Sequence, residues 1–288
     1  MKSINIARFE EIIALALAED LGKGDVTTNS LIPDEKIGVA SILAKEEGIL
    51  AGVEIAEELF RQVDPKLKIK VWLKDGAKIG SGDMIAVVEG RIASILKAER
   101  TVLNFLQRLS GIATEANRYV KAVEGLPVRI MDTRKTTPCL RVLEKYAVKV
   151  GGGKNHRMHL GDGILIKDNH LAALRNEGLG IKEIIARARQ NAPGGVKVEM
   201  EVNTLQGALE AAEAGADVIM LDNMRLEDMR QAVKAVHGRV LVEASGGITL
   251  GTVRAVAETG VDFISVGALT HSVKALDISL KLEPASKG

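Results

Sequence analysis

The sequence predicts an α/β fold, in which an N-terminal α+β open sandwich domain precedes a seven-stranded, incomplete α/β barrel. Short β-like runs separated by Gly- and Asp-containing turns fill much of the first 112 residues, whereas from about residue 126 runs rich in Val, Ile and Met alternate with longer helical patterns. Repeated strand–helix units favour a parallel sheet. About seven strand candidates within about 145 residues favour a barrel, and a doubly wound sheet is the alternative.

The first domain is expected to span residues 1–112 and to begin with an amphipathic helix over residues 1–18. Further helices are expected at Glu54–Gln62 and Ile92–Leu109, on one side of an antiparallel sheet. The strand candidates of this sheet are Gly38–Ala44, Lys68–Leu73 and Met84–Glu89.

The barrel domain is expected to span residues 113–269. Its strand candidates are Val128–Met131, Ala147–Val150, Ile164–Lys167, Val196–Val202, Val218–Leu221, Val240–Glu243 and Phe263–Val266. Its helix candidates are Ile181–Gln190, Leu205–Glu213, Leu226–Val236 and Leu250–Glu258. The tail, residues 270–288, is expected to be helical up to about Glu283 and to pack back on the first domain.

Composition argues against several classes of protein. The formal net charge is +1 and aromatic residues make up only 2% of the 288 residues, so neither nucleic acid nor a membrane surface is an expected partner. No apolar run reaches the length of roughly 18 residues that a membrane span requires, and the N-terminus does not resemble a signal peptide. A single cysteine, Cys139, excludes an internal disulfide and favours a reducing, cytoplasmic location.

The later strand candidates are followed by polar or glycine residues at nearly constant spacing. Glu201, Asp222, Ser245 and Gly267 succeed one another at intervals of 21, 23 and 22 residues, which is the length of one strand–helix unit. Catalytic groups of α/β barrels lie at the carboxyl ends of the strands. The spacing therefore predicts one active-site face.

Two glycine-containing turns follow the last two strands. Ser245, Gly246 and Gly247 follow one strand, and Gly267 and Ala268 follow the next. Glycines allow the backbone N–H groups to approach an anion closely, and barrel phosphate sites often use the loops after the last two strands. We expect a phosphate site here.

The loops after earlier strand candidates are basic, and carboxylates follow the middle strands. Arg134, Lys135, His156, Arg157 and Lys167 come from three separate loops and predict a pocket for carboxylate or phosphate groups. Glu201 and Asp222 would then bind sugar hydroxyls and Mg²⁺. Glu199 shares a strand face with Glu201 and is either a further site residue or a partner for a cation inside the barrel.

A set of motifs resembles the quinolinate phosphoribosyltransferase family, also called nicotinate-nucleotide pyrophosphorylases (carboxylating). The resemblance runs in order from about residue 19 to residue 275. It is carried by residues 19–22, 24–28, 99–106, 109–114, 132–136 (Asp-Thr-Arg-Lys-Thr), 144–148, 151–157, 166–170, 221–223, 243–248 (Glu-Ala-Ser-Gly-Gly-Ile) and 267–272.

The resemblance implies an enzyme of NAD biosynthesis that joins quinolinate to 5-phosphoribosyl-1-diphosphate. The products would be nicotinate mononucleotide, diphosphate and CO₂, with Mg²⁺ as cofactor. The active site would be shared between the subunits of a homodimer or a larger homo-oligomer. Cys139 and His159 stand where the family often has glycine. These departures put the detailed conformation of the two loops in doubt, but they do not affect the expected reaction.

The resemblance also assigns site residues. Quinolinate would be held by Thr133, Arg134, Lys135, His156, Arg157, Lys167 and, from the neighbouring subunit, Arg100. The ribosyl donor would be bound by Glu201, Asp222, Ser245, Gly246, Gly247, Gly267 and Ala268. The residues expected to be catalytic are Lys135, Lys167, Glu201 and Asp222.

Three alternatives stay open at this point. The first is a related phosphoribosyltransferase that acts on another pyridine carboxylate, such as nicotinate. The second is a metal-dependent aldolase or hydrolase that uses His156, His159 and His170 as ligands, although neighbouring cations make these a poor divalent-metal site. The third is a lipoyl-type carrier module over residues 75–90, which lacks a lysine at a hairpin tip.

Overall fold

The computed structural model describes residues 9–174 and 177–284. The chain forms two compact units. The first contains the residues up to Asn117, Thr137–Gly152 and the residues from Ser272 onward, and the second contains Arg118–Thr136 and Gly153–His271. Residues 1–8 of the expected N-terminal helix and residues 285–288 of the tail lie outside the described ranges.

The helices and strands of the described residues are, in chain order, α1 (Glu10–Leu21), α2 (Val26–Leu31), β1 (Ile37–Ala44), β2 (Gly48–Ile49), α3 (Val53–Val63), β3 (Lys68–Val71), β4 (Lys78–Ile79), β5 (Met84–Arg91), α4 (Ile92–Ala122), β6 (Arg129–Met131), α5 (Arg141–Val150), β7 (Ile164–Ile166), α6 (Asp168–Leu174), α7 (Ile181–Asn191), β8 (Val198–Val202), α8 (Leu205–Glu213), β9 (Val218–Asp222), α9 (Leu226–Val236), β10 (Leu241–Ser245), α10 (Val253–Ala257), β11 (Phe263–Ser265), α11 (Ala268–His271) and β12 (Ile278–Pro284). Among them no helix is both long and apolar enough to cross a membrane.

The first unit contains an antiparallel sheet with the strand order β12-β1-β5-β3. Every second residue of β1 is buried, including Ala40, Ile42 and Ala44, as expected for a strand with one face on the core. The amphipathic helix α3 buries Leu59 and Phe60. Of the helices in this unit, α4 is longer than predicted and continues past Leu109 to Ala122.

The prediction of a tail that is helical up to about Glu283 is wrong, because Ile278–Pro284 form the strand β12. Ile278, Leu280 and Leu282 alternate with polar residues, which is the period of a strand. The strand pairs antiparallel to β1, with Ile42 opposite Leu280. This pairing covers a β1 edge that would otherwise expose unpaired backbone groups.

The prediction of a strand at Ala147–Val150 is also wrong, since these residues form the last turns of α5. A short apolar run does not by itself distinguish a strand from a buried helix segment. Here Leu143, Ala147 and Val148 recur at helical spacing and are all buried. The ten-residue helix thus replaces the predicted strand.

The second unit contains a parallel sheet whose six strands, within the described residues, have the order β6-β11-β10-β9-β8-β7. The α/β fold class is confirmed, but the count of seven strands is not. The place of the missing strand next to β6 is taken by a single parallel bridge between Met131 and Lys154. The sheet is therefore an incomplete barrel, open between Lys154 and β7.

Candidate active site

The strands of the second unit surround a cavity of about 520 Å³ at their carboxyl ends. Residues that follow β6 and β7, the two edges of the sheet, line the same cavity, so the sheet curves back on itself. The lining residues are Thr133, Arg134, Lys135, His156, Arg157, Leu165, Lys167, Glu201, Met220, Asp222, Asn223, Glu243, Ser245, Gly246, Gly247 and Ser265.

The cavity wall has two tiers on the strands. Lys167, Glu201, Asp222 and Ser245 lie at or just beyond the strand ends and form the upper tier. Side chains two residues earlier on a strand point to the same face. The lower tier is accordingly made of Leu165, Glu199, Met220 and Glu243. Ser265 on β11 also lines the cavity.

The basic side chains predicted to bind anions come together at this cavity. Arg134 and Lys135 follow β6, and Arg157 and Lys167 flank β7. The Arg134 Nε atom is buried and has no hydrogen-bond partner among the described residues. Burial and the neighbouring Arg134 lower the pKa of Arg157, whose Nη1 donates to the Gly163 carbonyl at 2.8 Å. This cluster attracts anions, because an anion would relieve the repulsion between the cations.

His156 is fixed by a buried carboxylate. The fully buried Asp132 accepts the His156 N–H at 2.8 Å through Oδ1, and the Asn155 side chain at 2.5 Å through Oδ2. The Arg157 N–H donates to His156 Nδ1 at 2.8 Å, which assigns the ring hydrogen of the neutral imidazole to Nε2. That atom lies 3.2 Å from Glu199 Oε2 and 3.7 Å from Glu243 Oε2.

The two predicted acids of the upper tier differ in their partners. The Glu201 carboxylate is 3.2 Å from the Lys167 ammonium, which is about half exposed. Asp222 Oδ2 accepts a hydrogen bond from the side chain of Asn223 at 2.7 Å. Both carboxylates thus lie on the cavity wall beside polar donors.

In the glycine-containing loop after β10, the backbone lies very close to a neighbouring side chain. Gly246 and Gly247 have φ angles of 90° and 61°, a region that favours glycine. Asn223 has a φ of 53° and donates its N–H to the Ser245 carbonyl at 3.0 Å. A β-carbon at position 246 would collide with the Asn223 carboxamide, so only glycine fits there.

Three other predicted residues are not among those that line the cavity. Gly267 lies beside it, since a β-carbon at this position would be 3.1 Å from Lys135 Cδ. Ala268 begins α11, which has only four residues, and α10 begins at Val253 and not at Leu250. Arg100 is exposed on α4, in the first unit.

The three histidines considered as metal ligands do not come together in the described part of the chain. His170 Nδ1 accepts the Lys167 N–H at 2.9 Å, and His159 is exposed. The group that does bring potential ligand atoms within 4.8 Å of one another is His156, Glu199 and Glu243. Its two glutamates lie in the lower tier.

Sequence reasoning missed part of the cavity. Asn223, Glu243 and Ser265 were not predicted as site residues, and neither were the apolar Leu165 and Met220. One signal was available, because a glutamate inside an apolar strand, as in Val-Glu-Ala at 242–244, is costly to bury without a purpose. The position of the Asn223 side chain depends on a left-handed backbone conformation, which the sequence around Asn223 did not predict.

Comparison with known proteins places these observations in a family. The model of the quinolinate phosphoribosyl transferase C-terminal domain matches residues 112–281, and the model of the corresponding N-terminal domain matches residues 25–110.

Curated relatives and solved structures agree with this match. A probable nicotinate-nucleotide pyrophosphorylase [carboxylating] of Bacillus subtilis is 45% identical over 96% of this chain and 94% of its own length. A mitochondrial quinolinate phosphoribosyltransferase [decarboxylating] of Nicotiana glauca is 44% identical over 95% of this chain and 82% of its own length. The crystal structure of NadC from Streptococcus pyogenes superposes with a TM-score of 0.94, at 41% identity, over 99% of this chain and all of that one.

Proposed function

The chain belongs to the quinolinate phosphoribosyltransferase family, and from this premise we propose that it transfers the phosphoribosyl group of 5-phosphoribosyl-1-diphosphate to quinolinate with loss of CO₂. The enzyme is then a nicotinate-nucleotide pyrophosphorylase (carboxylating) of NAD biosynthesis. Its products are nicotinate mononucleotide, diphosphate and CO₂.

The observation that carries this proposal is the cationic cluster of the cavity. Arg134, Arg157 and Lys167 come from separate loops and meet at one cavity in a chain of net charge +1. Quinolinate has two carboxylates, whereas nicotinate has one. A second carboxylate justifies this density of positive charge, because charge-assisted hydrogen bonds are the strong ones.

We assign roles by position on the cavity wall. Arg134, Arg157 and Lys167 hold the carboxylates of quinolinate, with Thr133 and Lys135 beside them. His156 has both ring nitrogens engaged by the protein, so it shapes the floor under quinolinate. The ribosyl donor is bound by Glu201, Asp222, Ser245, Gly246, Gly247, Gly267 and Ala268.

The chemistry that these residues support is mainly positioning. The pyridine nitrogen attacks C1 of the ribose as diphosphate leaves, and positive charge develops on the sugar ring. The carboxylates of Glu201 and Asp222 stabilise that charge. No side-chain nucleophile is required, and alignment of two bound reactants supplies roughly 7–11 kcal/mol in favourable cases.

Mg²⁺ is proposed as the cofactor, and the donor set fits it. Glu201 and Asp222 offer carboxylate oxygens on the cavity wall, and hard divalent cations prefer oxygen ligands. These two residues would hold the ion together with the ribosyl donor. When bound, the ion stabilises the negative charge of the departing diphosphate.

We also propose that the enzyme is a cytoplasmic homodimer, or a multiple of it, in which Arg100 serves the partner's cavity. The exposure of Arg100 on α4 supports this, and the free, exposed Cys139 is consistent with a reducing compartment. Mixing Arg100→Ala and Glu201→Gln subunits, each impaired on its own, tests the shared site. Activity should rise above that of either variant after subunit exchange, and a mixture that is no more active than the separate variants after proven exchange contradicts sharing.

The experiment that tests the function is an assay of purified protein with the ribosyl donor and with quinolinate or nicotinate, in the presence and absence of Mg²⁺. We expect quinolinate-dependent formation of diphosphate and nicotinate mononucleotide that requires Mg²⁺. Turnover of nicotinate at the same efficiency as quinolinate would instead support the nicotinate-specific alternative.

A further inference from the structure

Glu243 is a buried glutamate that the binding roles above do not use. It lies in the middle of β10, two residues before Ser245, and its side chain is 2% exposed. It nevertheless lines the floor of the cavity. A carboxyl group in this position is costly to bury in its ionised form, and burial therefore favours the neutral acid.

The hydrogen bonds around His156 determine which of its ring nitrogens carries a hydrogen. The Arg157 N–H donates to His156 Nδ1, so the neutral ring carries its one hydrogen on Nε2. A second ring hydrogen on Nδ1 would point at the Arg157 N–H. The His156 Nε2–H therefore faces the carboxylates of the two glutamates.

Two buried carboxylates thus face one imidazole donor. The charged and titratable groups that face Glu243 are Glu199 from β8, His156 from the loop before β7, and Lys167 from the end of β7. Burial, and then the charge of Glu199, raise the pKa of Glu243 to about 7, which His156 and Lys167 only partly oppose. Of the two glutamates, Glu243 is the more deeply buried, so burial favours its protonated form.

The reaction needs a proton at this cavity. After the pyridine nitrogen is glycosylated, the C–C bond to the adjacent carboxylate breaks and CO₂ leaves, while the bonding electron pair stays on the ring carbon. That carbon must gain a proton to give the product. Arginine does not release protons at neutral pH, and the Lys167 ammonium is paired with Glu201.

We propose that Glu243 is the acid that protonates the ring carbon from which CO₂ departs, an inference that rests on the proposed function. The Glu243 O–H bond breaks as the C–H bond forms, and the resulting carboxylate is stabilised by the His156 Nε2–H and by Lys167. Water protonates Glu243 again after the product leaves. His156 and Glu199 are positioning residues, since they orient Glu243 and hold it in its acid form.

The test separates the two halves of the reaction in the Glu243→Gln variant, which keeps the shape of the side chain but has no acidic proton. A single turnover is quenched at intervals, and diphosphate and nicotinate mononucleotide are measured separately. The control is Glu227→Gln, on the exposed surface of α9. We expect diphosphate to form at similar rates in the wild type and in both variants. Mononucleotide formation should be slowed about 100-fold or more in Glu243→Gln alone.

Mononucleotide formation at the wild-type rate in Glu243→Gln would overturn the proposal, and so would an equal slowing of both products. If the variant does not fold, the pH profile of the wild-type protein decides. Mononucleotide formation should fall as the pH rises above about 7, while diphosphate formation stays level. A level mononucleotide profile contradicts the acid role. A wild-type protein that makes neither product from quinolinate contradicts the proposed function itself.

Discussion

The Lys167 ammonium lies 3.2 Å from the Glu201 carboxylate, so two residues with different expected ligands are joined at the ends of neighbouring strands. In the proposed function the cation binds quinolinate and the acid binds the ribosyl donor. With these roles, the ion pair would lie at the boundary between the two substrates.

Glu201→Gln is expected to raise the KM for the ribosyl donor about 10-fold or more, because hydrogen bonds to a charged group are worth about 1.5–3 kcal/mol. The free energy of unfolding should change by less than about 1 kcal/mol, since Lys167 is half exposed and such pairs contribute little. Steady-state kinetics with each substrate varied in turn, together with thermal unfolding, measure both effects. A larger change in the KM for quinolinate than for the donor would contradict the assignment.

Arg134→Ala is expected to weaken quinolinate binding about 10- to 100-fold, while donor binding changes much less. The reason is that Arg134 Nε is buried, has no hydrogen-bond partner within residues 9–174 and 177–284, and is available to a substrate carboxylate. Titration calorimetry with each substrate measures this difference. Arg230→Ala, on the exposed face of α9, is the control. An unchanged quinolinate affinity would refute the role.

Gly246→Ala is expected to raise the KM for the ribosyl donor and to lower stability, because the new β-carbon collides with the Asn223 carboxamide. Gly215→Ala is a matched control. Gly215 has a similar φ of 79°, but a β-carbon there meets nothing within 4 Å. Both variants should lose about 1–2 kcal/mol from backbone strain, and only Gly246→Ala should affect kinetics. Equal kinetics in both variants would show that the loop tolerates the collision.

Asp64→Asn tests the electrostatics of the first unit. Burial alone would raise the pKa of Asp64, but hydrogen bonds from the Lys66 N–H, the Ser94 hydroxyl and the Arg91 guanidinium outweigh it and lower the pKa. A lowered folded-state pKa stabilises the protein at neutral pH, and this contribution is lost as the pH falls through that pKa.

The variant should therefore unfold more easily than wild type at pH 7, by about 1–3 kcal/mol. The difference should shrink below about pH 4, where aspartate is protonated in the unfolded chain. Urea unfolding at several pH values measures it, with the exposed Asp34→Asn as the control. A difference that does not vary with pH would mean that the charge of Asp64 contributes nothing.

Local sequence signals predicted the regular parts of the second unit well. The predicted bounds of α8 and α9 agree with the structure, because their starts carry local signals. Thr204 accepts the Gly207 N–H at 3.1 Å as an N-cap, and the first turn of α9 contains Glu227 and Asp228. Glu201, Asp222 and Ser245 of the upper tier were predicted for a similar reason, since they recur at the period of a strand–helix unit. Lys167 was predicted from the basic character of its loop.

The failures share a different cause. The strand β12 and the helix α5 depend on partners that are distant in the chain. A short apolar run does not indicate which distant segment it will pack against. The missing seventh strand is likewise a matter of tertiary pairing, since a single bridge from Lys154 to Met131 replaces it in the described part of the chain. Glu243 was read as the end of a strand, whereas the sheet places it in the lower tier. How far it is buried depends on Glu199 and His156, which no local pattern relates to it.

The pairing of β1 with β12 also has a consequence for biosynthesis. β1 leaves the ribosome early, but its partner strand is made only after the entire second unit. During translation the nascent chain therefore carries an open β1 edge, the kind of surface that recruits chaperones or joins the edges of other chains. The first unit is thus completed only after the second unit has been synthesised, and the pairing of β12 with β1 reports that this has happened.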